Sequence, residues 1–291
     1  MSTRVVAVDS GMPARLDALV RSLLPGTSRR FVQRLFDEAA VRLNGRIGRK
    51  GERIVPGDRV ELPTIAPLAP EPDAPLTVVY EDAAVVAIDK PGGVRGHALD
   101  PRQRGTSAAA LLARYPEVAG IGGPLGAGLV HRLDSGTSGI LLAARSTAAF
   151  DDWRGAFRAR DVVKRYVAVV EGTPAPGVVD APLAHDSSDR RRMRAARPGE
   201  RSWPASSRIV TIASAGTRSR IEVEIRTGVT HQVRAHLALV GHPIVGDTLY
   251  GARPAELPAG RHALHAASLA RPAVGFAVVA PLPDDLAGLS G

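Results

Sequence analysis

An α+β protein of about two domains is what this sequence predicts, and three observations carry that expectation. Helix-like and strand-like segments mix along 291 residues without the regular alternation of a doubly wound sheet. A short basic stretch at 15–62 reads as two helices and a few short strands. Five prolines in residues 63–75 then set it apart, because proline-rich chain suits a semi-extended linker better than a helix or an inner strand. The expected division is a small domain at 1–62 with its core at 15–62, a linker at 63–75 and a larger domain at 76–291.

Leu16, Leu19, Val20, Leu23 and Leu24 form one apolar stripe, so a first helix is expected over about 15–24. Pro25-Gly26 breaks it and Ser28 is a plausible N-cap for a second helix. Phe31, Val32, Leu35, Phe36 and Ala39 give that helix its buried face, while Arg29, Arg30 and Arg34 lie on the exposed one. Val41-Arg42-Leu43 alternates like a strand, Asn44-Gly45 supplies a turn, and Gly57-Asp58 reverses the chain before Val60-Glu61-Leu62. Beyond the linker, strands are expected at 76–80, 84–89, 139–144, 164–171, 207–213 and 218–226. Helices are expected at 106–114, 147–159 and 231–239.

The formal charge is +9, from 38 Lys and Arg against 29 Asp and Glu, a balance that suits a polyanionic partner. Only Lys50, Lys90 and Lys164 are lysines, so a coding bias towards Arg could raise the charge without any function. Such a bias would be uniform, yet residues 15–62 hold ten Arg and one Lys against six acids, more than half of the net charge. No cysteine is present, which excludes disulfides, thiolate metal sites and a cysteine nucleophile. No signal peptide is read at the N-terminus and no apolar run approaches the ~20 residues that span a bilayer. A cytoplasmic protein is therefore expected. There is no phosphate-binding loop, and Gly122-Gly123-Pro124 lacks the helix-opening context of a dinucleotide site. The pairs His231/His236 and His262/His265 lack an evident third ligand, so no metal is expected and structural or RNA-contact roles are favoured.

Three segments carry chemistry. His131-Arg132-Leu133-Asp134-Ser135-Gly136-Thr137-Ser138-Gly139 places one carboxylate near a fixed cation, in a loop whose glycines and hydroxyls allow close approach. A lone Asp in such a loop is more often a turn former. What raises Asp134 is its order along the chain with Lys164-Arg165-Tyr166 and with Arg226-Thr227-Gly228-Val229-Thr230-His231-Gln232-Val233-Arg234. Alone, Tyr166 would read as core packing on a strand and Arg234 as a solvent-facing helix residue.

Together the three segments resemble the active-site motifs of the RluA-type pseudouridine synthases. Asp89-Lys90-Pro91-Gly92-Gly93, the segment Gly241–Gly251 and Leu264-His265-Ala266 extend the likeness to about 76–270. Residues 15–62 resemble the small S-four-type RNA-binding domain. The resemblance implies a catalytic domain on a mixed, largely antiparallel sheet, preceded by a small α/β RNA-binding domain. It also implies uridine-to-pseudouridine isomerisation in RNA: the N1–C1′ bond breaks, the base turns, and C5 joins C1′. That rearrangement has no net redox change and needs no cofactor.

By resemblance Asp134 is the carboxylate that assists glycosidic cleavage, as a nucleophile or as a base towards the sugar. Arg234 is the cation that keeps it ionised against burial. Tyr166 stacks on the target base, with its part in removing the C5 proton left open, and Arg132 fills the space of the flipped base. Arg190, Arg191 and Arg192 are candidate phosphate contacts beside Arg29, Arg30 and Arg34, a disordered charge run being the other reading of 189–194. Val229 and Ser135 depart from the family pattern, where charged residues are common. The expected partner is RNA, large-subunit ribosomal RNA ahead of transfer RNA, with the enzyme acting as a monomer. A catalytically inactive RNA-binding or ribosome-assembly protein on the same fold is the alternative.

Overall fold

The computed structural model describes residues 3–24, 27, 29–101 and 103–288. Pro25, Gly26 and Ser28, expected to break and recap the chain between the first two helices, lie outside the described residues, as does the Arg30 side chain. The chain forms two compact units. One takes in the residues up to Pro75 with His97–Leu129 and Ala144–Phe150, the other Leu76–Gly96, Val130–Ala143 and the chain from Asp151 onward.

In the first unit β1 (Thr3–Ala7), α1 (Leu16–Leu23), α2 (Arg29–Asp37), β2 (Arg42–Leu43), β3 (Arg46–Ile47) and β4 (Arg59–Pro63) follow in order. The strands form an antiparallel sheet, β1-β4-β2-β3. The apolar stripe of α1 is buried with Phe31, Val32 and Leu35 of α2 against Val41, Leu43, Val60 and Leu62, which leaves Arg29 exposed. Strand β1 is an addition to the expected elements, because its Arg4 is polar and its burial weak; pairing with β4 settles it.

The remaining elements are β5 (Thr77–Glu81), β6 (Val85–Lys90), α3 (Ser107–Arg114), β7 (Ser138–Ala144), α4 (Thr147–Ala159), β8 (Val163–Glu171), β9 (Gly177–Asp180), β10 (Leu183–His185), β11 (Met193–Ala195), β12 (Ser206–Ala215), β13 (Arg218–Ile225), α5 (Gln232–Leu239), β14 (Leu264–Arg271), β15 (Phe276–Val279) and α6 (Asp284–Ala287). Nine strands among the described residues form one sheet in the order β5-β6-β7-β14-β8-β13-β12-β9, with β15 on β14. The sheet is mixed and mostly antiparallel, with β7 and β14 parallel. The α+β architecture expected from the sequence is thus present.

Strand β14, the unexpected centre of this sheet, reads Leu264-His265-Ala266-Ala267-Ser268-Leu269-Ala270-Arg271. It lacks β-branched residues, so local propensity conceals it; its place between β7 and β8 is what makes it a strand. Its register shifts between His265 and Ser268, across from Val167 and Arg165, so the bulge faces Tyr166 of β8. Of the run 189–194, read either as phosphate contacts or as a disordered charge run, residues 189–192 lie in the loop of the β10–β11 hairpin and Met193 and Arg194 on β11 itself.

Close approach of backbones explains the glycines of the first motif. Gly139 adopts φ +109°, and a Cβ there would lie 2.3 Å from the Ala266 carbonyl oxygen of β14. Gly136 has no room either, with the Gly260 carbonyl oxygen and His262 Nδ1 each 2.6 Å from where a Cβ would stand. Gly139→Ala is therefore expected to destabilise the protein by about 2 kcal/mol or more, read as a lower urea midpoint at unchanged slope.

Candidate active site

Three stretches of the second unit meet at one cleft of about 60 Å3: the turn Arg132–Thr137 before β7, Lys164 and Tyr166 of β8, and the loop from Gly228 into α5. The Asp134 carboxylate lies in this cleft with most of its surface covered. Arg234 Nη1 donates to Asp134 Oδ2 at 3.1 Å. The same guanidinium is gripped from its other side by Asp247, with Nε to Oδ2 at 2.6 Å and Nη2 to Oδ1 at 2.8 Å. Arg234 is thus a buried bridge between two carboxylates, and its helix α5 is buried from Gln232 to Leu237.

Burial pushes the Asp134 carboxyl up, but His231, Arg234 and His262 together hold it below the usual carboxylate value. Burial also lowers the His231 imidazole, whose Nε2 is 3.8 Å from Asp134 Oδ2, and pulls His262 down to about 4. The charge beside Asp134 that burial cannot remove is therefore that of Arg234. Tyr250 holds the His231 ring in place. Its hydroxyl accepts from the Met193 N–H at 2.8 Å and lies 3.1 Å from His231 Nδ1, which turns Nε2 towards Asp134. The Tyr250 ring also lies under the Arg234 guanidinium, 5.0 Å from its centroid. His231 itself is left-handed, φ +55°, an unusual conformation for a side-chain-bearing residue, held where loop passes into α5.

The turn carrying Asp134 is fixed at each following residue. The fully buried Lys90 donates through Nζ to the carbonyls of Pro91, Val94 and Ser135 at 2.7, 2.8 and 3.1 Å, and the Gly93 N–H also reaches Ser135 O at 2.8 Å. Arg261 Nη1 donates to Gly136 O at 3.0 Å while Asp285 holds the guanidinium through Nε and Nη2. Thr137 Oγ1 and His262 Nε2 are 2.9 Å apart. Across the cleft, Gln232 ties the Thr227–Val229 loop to β12: it accepts from Thr227 Oγ1 and Val229 N and donates to Ser206 O.

Tyr166 is buried on β8 and lines the cleft, and its hydroxyl has no hydrogen-bond partner among the described residues. Burial, with Asp134 adding to it, pushes this phenol well up, so it stays protonated. Arg132 is exposed on the rim with no hydrogen-bond or carboxylate partner among the described residues. His236 and His265 are structural: His236 bridges Ser207 Oγ and Ala181 O, and His265 faces Ser138 Oγ. No group of three or more His, Asp or Glu among the described residues could hold a metal ion. The basic candidates differ among themselves. Arg191 is tied to Asp189, Arg34 to Asp100, and Arg192 lies over the Tyr250 ring, whereas Arg190 and Arg29 are exposed and unpaired among the described residues.

Sequence reasoning did not single out Asp247, Tyr250 or Arg261. The first two stand in the Gly241–Gly251 segment, where a carboxylate and a phenol between turn glycines were the available signal. Arg261 has no local signal for this role, since apart from the Leu264 carbonyl three residues on its partners are 125 and 24 residues away.

An ionised carboxylate, a clamped guanidinium and an unpartnered phenol thus meet at one cleft of a mixed sheet, an arrangement suited to an enzyme that works on a polar substrate. The sequence profile described as RNA pseudouridylate synthase matches residues 84–239. A protein of Chloroflexus aurantiacus named an uncharacterized RNA pseudouridine synthase is 41% identical, covering 97% of this chain and 91% of that one. The ribosomal large subunit pseudouridine synthase D of Xanthomonas campestris is 36% identical, covering 97% and 90%. The solved human RNA pseudouridylate synthase domain containing 4 aligns with a TM-score of 0.58 at 26% identity, over 72% of this chain and 90% of that one. This chain belongs to the RNA pseudouridylate synthase family, and is an isomerase.

Two variants probe the electrostatics. The acid limb of kcat/KM is expected to follow Asp134, which is ionised above its depressed pKa and protonated as pH falls through it. Arg234→Lys weakens the pull and lets burial prevail, so that limb is expected to move to higher pH in a profile taken from pH 4 to 8. Tyr250→Phe removes the hydroxyl that anchors the His231 ring and is expected to lower kcat about tenfold with little change in KM.

Proposed function

We propose that the chain isomerises uridines of structured RNA, large-subunit ribosomal RNA ahead of transfer RNA, as a monomer in the cytoplasm. The observation that carries the reading is the Asp134 carboxylate, kept ionised at the cleft by a guanidinium that Asp247 holds in place. Asp134 assists cleavage of the N1–C1′ bond, Tyr166 stacks on the released base, and Arg132 enters the space that the flipped nucleotide leaves. Once C5 has joined C1′, the C5 hydrogen leaves to solvent and N1 takes up a proton, so atoms and electrons balance. With its hydroxyl protonated, Tyr166 cannot take the C5 proton as a resident phenolate, which favours its stacking role.

The naming of two relatives as ribosomal large subunit pseudouridine synthase D supports the target class. No helix among the described residues is long and apolar enough to cross a membrane. The basic helices at 15–62 act as an S-four-type RNA-binding domain, with Arg29 and Arg190 the phosphate contacts left unengaged, and Arg30, Arg34, Arg191 and Arg192 flanking them.

Asp134→Asn is expected to abolish tritium release from RNA labelled with [5-3H]uridine while leaving RNA affinity within about threefold of the parent. Ordinary turnover by that variant would remove Asp134 from the chemistry. Arg29→Ala and Arg190→Ala should each reduce the slope of log affinity against log salt by about 1 with kcat intact; unchanged slopes would remove these residues from the RNA interface.

A further inference from the structure

A second cavity, of about 410 Å3, shares the wall Gly228-Val229-Thr230 with the Asp134 cleft. None of the isomerisation steps uses it. Its far side is lined by Trp203, His185, Arg158 and Arg160. Trp203 is one of two tryptophans in the chain, and unlike the buried Trp153 it is 38% exposed. Its backbone is pinned to β10 by a reciprocal pair of hydrogen bonds with Leu183, at 2.8 and 2.9 Å. The His185 ring meets it edge to face at 5.4 Å, which fixes the indole plane and leaves a face for a ligand. Arg158 and Arg160, at the end of α4 and just beyond it, are exposed, and neither guanidinium has a hydrogen-bond or carboxylate partner among the described residues. Arg160 is moreover left-handed, φ +62°, where the chain leaves α4.

We infer that this cavity is a nucleotide subsite for the residue next to the extruded uridine, its base stacked on Trp203 and its phosphates held by Arg158 and Arg160. An oriented indole beside unpaired guanidiniums is the combination that grips unstacked nucleic acid with little regard to base identity. The shared wall explains the pairing of the two sites: a strand that drops its uridine past Gly228 brings a neighbouring nucleotide within reach of Trp203. Specificity for single-stranded or opened RNA around the target follows. The inference rests on the isomerase reading above.

In a W153F chain Trp203 is the single fluorophore of its kind. The oligoribonucleotide U5 is expected to quench it, whereas uridine monophosphate, which occupies the first cleft alone, is not. On [5-3H]uridine-labelled large-subunit ribosomal RNA transcript, W203A should raise KM about tenfold with kcat retained, and W203F, which keeps a ring, should stay near the parent. The R158A/R160A double variant should flatten the salt dependence of KM by about 0.7 for each phosphate that is no longer neutralised. If the parent releases tritium but U5 fails to quench, or W203A and R158A/R160A leave KM and its salt slope unchanged, the subsite is overturned and the isomerase reading stands. Absence of tritium release by the parent on every RNA tried overturns the isomerase reading, and the subsite with it.

Discussion

A carboxylate that is both covered by protein and charged is the constraint around which the second unit is organised. Burial alone would neutralise Asp134, and the histidines around it are themselves driven neutral by the same burial. Only a group that cannot lose its proton answers that, and Arg234 is it. Yet a buried guanidinium facing one carboxylate would leave donors idle, so Asp247 takes Nε and Nη2 while Nη1 remains for Asp134. The turn Gly246–Tyr250 is thereby as much a part of the site as the loop carrying the acid, and Tyr250 adds to it by anchoring the His231 ring.

Position matters as much as charge. Three consecutive residues after Asp134 are each held by a different buried group, Lys90, Arg261 and His262, drawn from segments far apart in the chain. Gly136 and Gly139 let those segments come within backbone contact. Rigidity of this kind keeps the Asp134 carboxylate in one place without reorganisation. The bulge of β14 opposite Tyr166 places irregularity where a large ring must face a cleft rather than a neighbouring strand.

Legibility in the sequence follows the range of the interactions. Helices α1, α2 and α4 are readable from apolar spacing, because each buries one stripe, and the alternating β13 likewise. Strand β14 is not, since an Ala, Ser and His strand owes its place only to the neighbours on both sides. At the site, Asp134, Tyr166 and Arg234 are legible as a family pattern, though nothing local to Arg234 distinguishes it from a surface residue. Asp247 and Tyr250 are visible as part of a segment but without a task, because their partners Arg234, His231 and Met193 sit on α5, just before it and on β11. Arg261 is invisible: its worth lies in a carbonyl 125 residues upstream.

The chain uses arginine almost everywhere it needs a cation, and the three exceptions are telling. Lys90 is wholly enclosed and Lys164 nearly so, each with its ammonium given over to main-chain carbonyls, and burial pulls them to about 7 and about 8. Lys50 alone presents its side-chain amine at the surface. An acylating reagent used on the folded protein therefore meets one accessible lysine, in the basic segment at 15–62, which makes a dye or a surface tether attachable there without engineering the sequence.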